Sequence, residues 1–501
     1  MEMNKKNSFY LIGCLLLAIF AEVTLFTEKI GISLSFFVVA YYVFYFYMTK
    51  KETHTHRIVG IYIFICIWTL TLSFVFVANP SFYAVNLLVI FLLIGVHTIL
   101  ITSPSFLSWS NVEFLWYMQK KFSSLFKFSR YLSILVRKRI KEYENERNYA
   151  IAKRILLGIV IVLPILFVLI FLLSSSDQYF SILIEKMITH LVSINIDKIS
   201  IFLRILLVFV FLVLWIKTIS KKSVIILKDK KEINRSWEQA TLLTILISIN
   251  GLYLFYTIFE FQYFFNDVLM NGFTYATYAK RGFFELIIVT IINISITLLV
   301  NRFSKSRTIL IKTSLSLLII FSFIILLSAH LRLSLYEQAY GYTYLRLFSH
   351  SFIFLLAVFF AFTMIKIWIE KIQLMRIFLL LALLYYCGLN VIDVDRFIVS
   401  KNIERFEETN LIDLQYIESL SLSTVPVLMN YYERNREMNS IKHVLLAKKE
   451  FLEKRDVKWQ SYNMMEDRAR KLLASMNLDD ETAENENGKK YRLEESKNEK
   501  K

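Results

Sequence analysis

Residues 330–350, HLRLSLYEQAYGYTYLRLFSH, concentrate the side chains of this sequence that are best suited to binding chemistry. Arg332 and Arg346 carry planar guanidinium groups, and such groups bind phosphate or carboxylate through paired hydrogen bonds. Spacings of four residues place Arg332 on one helix face with Tyr336, and Tyr342 on one face with Arg346. The segment is therefore a candidate site for an anionic group, and no residue in it is predicted to be catalytic.

Gly341 and Thr343 indicate where this segment reverses direction. Glycine can adopt a backbone conformation that ends a helix, and a threonine hydroxyl can cap the first turn of the next helix. We therefore expect a tight loop at 331–342 that keeps its charges close to the neighbouring helices. Those charges could bind an anion, or they could equally be neutralised by Glu337 and Glu285.

Other ionisable residues flank the neighbouring apolar stretches at the same predicted end. Such groups are costly at membrane depth unless they are paired or hydrated. Glu285 requires a cation, because an unpaired carboxylate there would be disfavoured or protonated, and Arg346 is the best-placed partner. The alternative is that helix ends ordinarily carry charges and that tyrosines belong to the interfacial belt. The candidate outer-face polar cluster comprises Arg332, Tyr336, Glu337, Tyr342, Arg346, Lys280, Arg281, Glu285, Glu260, Asp267, Asp393 and Asp395.

The elements that must position these residues are membrane-spanning helices. The chain is 56% hydrophobic and 16% aromatic. Its apolar runs are continuous rather than alternating, which excludes a β-barrel, and about 20 apolar residues span a bilayer as a helix. We predict an all-α polytopic transmembrane bundle of about eleven spans, within a range of roughly ten to twelve. These spans are expected at 8–27, 31–48, 58–78, 82–102, 154–174, 200–219, 239–263, 282–301, 309–330, 343–365 and 376–393.

The distribution of basic residues predicts the orientation of this bundle. Lysine and arginine concentrate before the first span and in alternate loops, and such loops lie on the cytoplasmic side. The N-terminus is thus predicted inside, and an odd number of spans places the C-terminus outside. Basic cytoplasmic loops also meet anionic lipid headgroups. The net charge of +17 therefore requires no nucleic acid, since no aromatic-basic module accompanies it.

Composition changes along the chain predict five regions. The first two are an N-terminal four-helix membrane region and a basic, amphipathic cytoplasmic linker, and the third is a seven-helix membrane domain. They are followed by a short helical extramembrane segment, in which Pro426 starts or breaks one element, and by a charged, disordered tail. The boundaries are 1–102, 103–153, 154–393, 394–477 and 478–501.

The cysteines and histidines give no metal signal. Cys14, Cys66 and Cys387 all fall inside predicted spans, without the spacing of a metal site, and are best explained by apolar packing. His54 and His56 lie in a short loop without a third ligand. No metal or cofactor is predicted.

Three segments resemble a bacterial family of integral membrane proteins of unknown function, DUF4173, which is related to DUF4153. The signature is RLSLYEQAYGYTYLRLF, and the segments at 263–293 and 390–428 are similar to two further family elements in the same order. One departure is SLSTVP, where the family has an Asp-Ala-Val-Pro form, so a role for that acid does not carry over. The resemblance implies the bacterial cytoplasmic membrane, and it implies no established activity.

Three functions remain open on the sequence. The first is a non-enzymatic protein that senses, scaffolds or binds a ligand at the outer face. The second is a transporter of a small or amphipathic solute, for which polar residues near mid-membrane and broken helices are expected. The third is an enzyme acting on a lipid-linked or cell-envelope substrate, for which Glu22 with Asp267 or Asp393 would supply paired carboxylates. The sequence predicts no particular protein partner.

Overall fold

The computed structural model describes residues 5–50, 54–77, 82–125, 162, 196–220, 237–265, 283–303, 308–436, 438–455 and 458–475. It divides the chain into two compact units. Unit 1 is formed by Met1–Phe64, Leu92–Ile226 and Trp459–Ser461, and unit 2 by Ile65–Phe91, Leu227–Lys458 and Tyr462–Lys501.

Long apolar helices make up most of the described chain, as predicted for an all-α protein. In chain order they are α1 (Lys5–Leu25), α2 (Ile32–Thr49), α3 (Arg57–Phe76), α4 (Tyr83–Ile101), α5 (Ile196–Ser220), α6 (Gln239–Phe265), α7 (Phe283–Phe303), α8 (Ile309–Tyr340), α9 (Tyr344–Trp368) and α10 (Leu374–Val391).

Ten of the predicted spans coincide with these helices. Eight described helices are long and apolar enough to cross a membrane, and the apolar parts of α1 and α7 are shorter, Phe9–Leu25 and Glu285–Asn301. The predicted span at 154–174 lies outside the described residues. The transmembrane helical bundle is therefore confirmed as the fold class, whereas the total of about eleven spans stays a prediction.

Unit 1 is organised around α1, which packs against α2 and α5. Glu22 forms an ion pair with Arg204 of α5, so the carboxylate that the enzyme hypothesis singled out already has a cationic partner. Lys121, from the predicted linker, is buried and donates a hydrogen bond to Thr218 O at 3.0 Å. The described part of this linker therefore contacts the end of α5, and residues 126–153 lie outside the described chain.

In unit 2, α8 packs against α6, α7 and α9, and α9 packs against α10. Leu318 and Phe360 are fully buried in the core between these helices. Helix α8 has 32 residues, which corresponds to about 48 Å and exceeds a hydrocarbon core of about 30 Å. The prediction of a span ending at 330 and a loop at 331–342 was therefore wrong, since the helix continues to Tyr340.

The chain after α10 folds into a compact helical layer within unit 2. Its helices are α11 (Val394–Thr409), α12 (Leu414–Ser419), α13 (Val425–Arg434), α14 (Asn439–Glu453) and α15 (Met464–Ser475). Pro426 lies in the first turn of α13, where its missing N–H is tolerated. Ile398, Val425 and Leu445 are fully buried in a separate apolar core. We call these five helices the C-terminal layer; residues 476–501, which include the predicted disordered tail, lie outside the described chain.

Candidate functional site

The turn between α8 and α9 consists of three residues, Gly341–Thr343, and is tight, as predicted. Gly341 has φ +80°, and its N–H donates to Glu337 O at 2.7 Å. A Cβ atom at this position would lie 2.5 Å from Asn402 Oδ1, so only glycine fits the turn without displacement. Thr343 precedes α9 as predicted, but its side chain makes no capping hydrogen bond.

Side chains of the C-terminal layer bind the backbone of this turn. Asn402 accepts a hydrogen bond from Tyr342 N and donates one to Tyr342 O, both at 2.8 Å. The hydroxyl of Tyr416 accepts a hydrogen bond from Tyr344 N, at the beginning of α9, at 2.9 Å. The amide of Asn402 thus binds both backbone polar groups of Tyr342, its N–H and its carbonyl oxygen.

Arg405 donates hydrogen bonds to carbonyl groups in the last turn of α8. Its guanidinium donates to Gln338 O at 2.9 Å, to Ala339 O at 2.6 Å and to Leu411 O at 3.0 Å. The last carbonyls of a helix have no partner within the helix, and a cation there also complements the helix dipole. Arg405 therefore acts as a C-cap supplied from another helix.

A buried ion pair joins α6 to α8 a few turns before the α8–α9 turn. Nη2 of Arg332 lies 2.6 Å from Oε1 and 2.7 Å from Oε2 of Glu260, and the two side chains are 9% and 8% exposed. Ser328 donates a further hydrogen bond to Oε1. Arg332 is thus neutralised by Glu260, rather than by Glu337 or Glu285, and Tyr336 is not its partner in this pair.

A second polar group lies one helical turn closer to the α8–α9 turn. Oε2 of Glu337 is 2.8 Å from Nε2 of His350, and Nδ1 of His350 is 2.9 Å from Nδ1 of His330. Because the two Nδ1 atoms face each other, one must carry a proton and the other must accept it. Oε1 of Glu337 is buried without a hydrogen-bond partner among the described residues. The group therefore retains an acceptor oxygen for an additional hydrogen-bond donor.

Arg346 lies in the first turn of α9, against the aromatic rings at the end of α8. Its guanidinium carbon is 4.1 Å from the centre of the Tyr336 ring and 5.8 Å from that of Tyr340. One Nη1 donor binds Gly341 O. Within the described chain, no salt bridge or hydrogen bond joins Arg346 to Glu285, whose side chain is exposed. The predicted pair between them is thus replaced by stacking on tyrosines.

Asp393 and Asp395 lie at the beginning of α11, in the C-terminal layer. Asp393 caps α11 by accepting from Arg396 N at 3.1 Å. Asp395 is almost fully buried and accepts from Ser421 N at 2.8 Å, and burial raises the pKa of its carboxyl group. Lys448 is buried as well and donates to Leu420 O at 2.6 Å, and burial lowers its pKa to about 8.

The remaining predicted site residues are not placed by the structure. Lys280, Arg281 and Asp267 lie outside the described residues. The proposal that they share one polar cluster with the α8–α9 turn stays a prediction.

A line of buried and half-buried polar side chains also runs along α6, on the face that carries Glu260. Tyr253 donates to Asn293 Oδ1 at 2.6 Å, and Asn293 donates to Ser322 Oγ at 2.9 Å. Asn250 Oδ1 and Thr257 Oγ1 are buried without hydrogen-bond partners in the part of the chain that the structure describes. From Asn250 to Glu260 this line covers about 15 Å along the helix axis, and we call it the α6 polar line.

A family model for a domain of unknown function, DUF4153, matches residues 64–431, a stretch that contains the α8–α9 turn together with Asn402, Arg405 and Tyr416. The chain belongs to the DUF4153 family. The motif resemblance named the related DUF4173 family, so the predicted membership of a membrane family of unknown function is confirmed. No curated protein and no solved structure is detectably similar to the chain.

Sequence reasoning missed three residues that shape the site of this DUF4153 protein: Asn402, Arg405 and Tyr416. Asn402 and Arg405 are 60 and 66 residues away from backbone groups that they bind. The spacing from Asn402 to Arg405 does place both on one helix face, and both lie within the family-like segment at 390–428. Nothing in the sequence indicates that this face meets a membrane helix end.

Proposed function

We propose that this DUF4153 protein is a non-enzymatic multi-pass membrane protein that senses or binds a ligand at the outer face of the bacterial cytoplasmic membrane. One observation supports this proposal above the others. The C-terminal layer holds the ends of α8 and α9 through Asn402, Arg405 and Tyr416, one turn after the buried carboxylate of Glu337, which pairs with His350.

The arrangement supplies a physical route from that polar group to the C-terminal layer. Glu337 binds His350 through its side chain and Gly341 through its carbonyl oxygen. A charged ligand bound beside the α8–α9 turn alters the charge balance at the last turn of α8, which contains Glu337. That turn is the one whose carbonyls Arg405 binds, so α11 is expected to respond to the change.

Hydrogen exchange, measured by mass spectrometry on the full chain in detergent, tests this coupling. We expect His350→Ala to raise the exchange of the α11 amides, because Glu337 loses its partner beside the turn that α11 holds. Arg204→Gln is the matched control, since it breaks an ion pair within unit 1, and it should leave α11 unchanged. Unchanged exchange in His350→Ala would contradict the proposal.

A separate experiment tests whether the C-terminal layer lies on the outer side of the membrane. Lys449 on α14 can be replaced by cysteine in a chain whose three buried native cysteines are serine. A membrane-impermeant maleimide should label it in intact cells, and labelling only after lysis would place the C-terminal layer in the cytoplasm.

The α6 polar line favours transport of a small or amphipathic solute as the second candidate function. A transport path requires water to reach polar groups at membrane depth. In the same cysteine-free chain, Thr257→Cys should then react with a charged, water-soluble thiol reagent. Ile258→Cys is the control, because Ile258 is 50% exposed on the apolar surface of the same helix and should remain unreactive. An unreactive Thr257→Cys would count against transport along this line.

A further inference from the structure

Two guanidinium groups converge on the α8–α9 turn from different helices. Nη1 of Arg346 binds Gly341 O, and Nη1 of Arg405 lies 3.4 Å from the position of a Cβ on Gly341. Burial lowers the pKa of Arg405, and the charge of Arg346 lowers it further. Two positive charges at one turn favour the binding of an anion between or beside them.

The acidic residues around this pair are engaged elsewhere. Glu337 binds His350 at 2.8 Å, Glu404 binds Lys401 at 2.6 Å and Asp413 accepts from Tyr416 N at 2.9 Å. No salt bridge to Arg346 or Arg405 occurs between residues that the structure describes. Each guanidinium has five N–H donors. Arg405 uses three of them for carbonyls and Arg346 uses one, which leaves two on Arg405 and four on Arg346 for a ligand.

The beginning of α9 adds further groups that favour an anion. The first turn of α9 contains no acidic residue, and Thr343 makes no side-chain capping bond. The N-terminus of a helix carries a partial positive charge and free N–H donors. The beginning of α9 therefore adds partial positive charge next to the turn that the two guanidinium groups contact.

The apolar surroundings favour a ligand at the membrane surface. Leu345, next to Arg346 in α9, is 63% exposed, and Tyr340 at the end of α8 is 43% exposed. Arginine and tyrosine at the ends of membrane helices lie at the level of the lipid headgroups. A phosphate at this depth meets the guanidinium groups while apolar surface lies directly beside it.

We propose that Arg346 and Arg405 form a binding site for a phosphate-bearing anion, supplied by an anionic lipid headgroup or by free phosphate. The proposal gives a ligand class to the sensing function proposed above and rests on it. Arg405 then has two roles, since it caps α8 and contacts the anion, whereas Arg346 contributes chiefly to the anion.

Two probes distinguish the sources. Phosphatidylglycerol and phosphatidylcholine, each added to the full chain in detergent and followed by native mass spectrometry, report lipid binding. Inorganic phosphate, titrated calorimetrically in the same detergent, reports a free anion. Preferential retention of phosphatidylglycerol supports a lipid ligand, and phosphate binding without it supports a soluble one.

Substitutions of Arg346 and Arg405 test whether the lipid or the phosphate binds at these two side chains. Arg346→Gln should weaken binding by about tenfold or more, because charge-assisted hydrogen bonds to the anion are lost. Arg346→Lys should weaken it less, because it keeps the charge without the planar fork. Arg405→Gln should weaken binding as well, and Arg434→Gln, an exposed residue of α13, is the matched control that should not.

Equal binding by the wild type, Arg346→Gln and Arg346→Lys would overturn the anion site, as would the absence of binding with both probes. The hydrogen exchange of α11, measured on the same samples, separates this outcome from failure of the sensing function. Anion binding that depends on Arg346, in a chain where His350→Ala leaves α11 unchanged, would keep the site and overturn the coupling.

Discussion

The ion pair between Glu260 and Arg332 allows a quantitative prediction about the stability of unit 2. Both side chains are less than one-tenth exposed, and Arg332 makes three charge-assisted hydrogen bonds to Glu260, at 2.6, 2.7 and 3.2 Å. Arg332→Met would leave a buried carboxylate with Ser328 as its remaining donor in this group. Removing one partner of such a pair costs about 3–5 kcal/mol of unfolding free energy.

Replacing both partners should behave differently. In the double variant Glu260→Leu, Arg332→Met no charge remains buried at this position, and apolar replacement of a buried pair is often close to neutral. We therefore expect the double variant to lie within about 1 kcal/mol of the wild type. Because each single change costs about 3–5 kcal/mol, the double-mutant cycle should give a coupling of about 5 kcal/mol or more.

The assay is reversible unfolding of the full chain in mixed micelles. The fraction of denaturing detergent is varied, and the helix content is followed by circular dichroism. Lys401→Met, at an exposed pair with Glu404, is the control and should not shift the transition. Single variants that unfold like the wild type would refute the burial argument. A double variant as unstable as the singles would show that the two charges are not partners.

Three further predictions concern the α8–α9 turn and the C-terminal layer, with unfolding measured in the same assay. Gly341→Ala should cost about 1–3 kcal/mol, because φ is +80° and the new methyl group meets Asn402; Gly251→Ala, with open space around it, should not destabilise. Asn402→Ala should cost about 1–3 kcal/mol, because it leaves the N–H and the carbonyl of Tyr342 without their partners; a loss below about 0.5 kcal/mol, the size of an ordinary surface substitution, would show that water replaces the amide. Burial lowers the pKa of Lys448 to about 8, so the unfolded chain binds more protons between about pH 8 and pH 10.4, and stability should rise with pH there. Lys448→Met should remove roughly 3 kcal/mol of that rise, and identical pH profiles for the two proteins would refute it.

Hydropathy was sufficient to predict the membrane helices, because a span is a local property of about 20 consecutive residues. The end of α8 was predicted wrongly for the same reason. Residues 331–340 are polar enough to resemble a loop, but Arg332 and Glu337 both have partners on other helices, Glu260 and His350. A helix can therefore continue through a charged segment when side chains of other helices neutralise its charges.

Only part of the candidate site was predicted, because the packing of the helices decides which charged side chains form ion pairs. Glu260, Arg332, Glu337 and Arg346 were all recognised as candidates from their types and positions. The pairs among them could not be derived, since Arg332 and Glu260 are 72 residues apart. The second guanidinium of the proposed anion site, Arg405, was not recognised, because its role depends on α11 lying across the end of α8.

The hydrogen bonds that hold the α8–α9 turn can form only late in the synthesis of the chain. The backbone of Tyr342 cannot form its hydrogen bonds to Asn402 until that residue, 60 positions later, has been synthesised. At about 5–20 residues per second this interval is roughly 3–12 seconds. During that time the carbonyls of Gln338 and Ala339 lack their guanidinium donor and must remain hydrated. Insertion of α8 and α9 into the bilayer therefore precedes completion of their turn. A ribosome that stalls before Asn402 would leave both helices inserted around an unfinished connection.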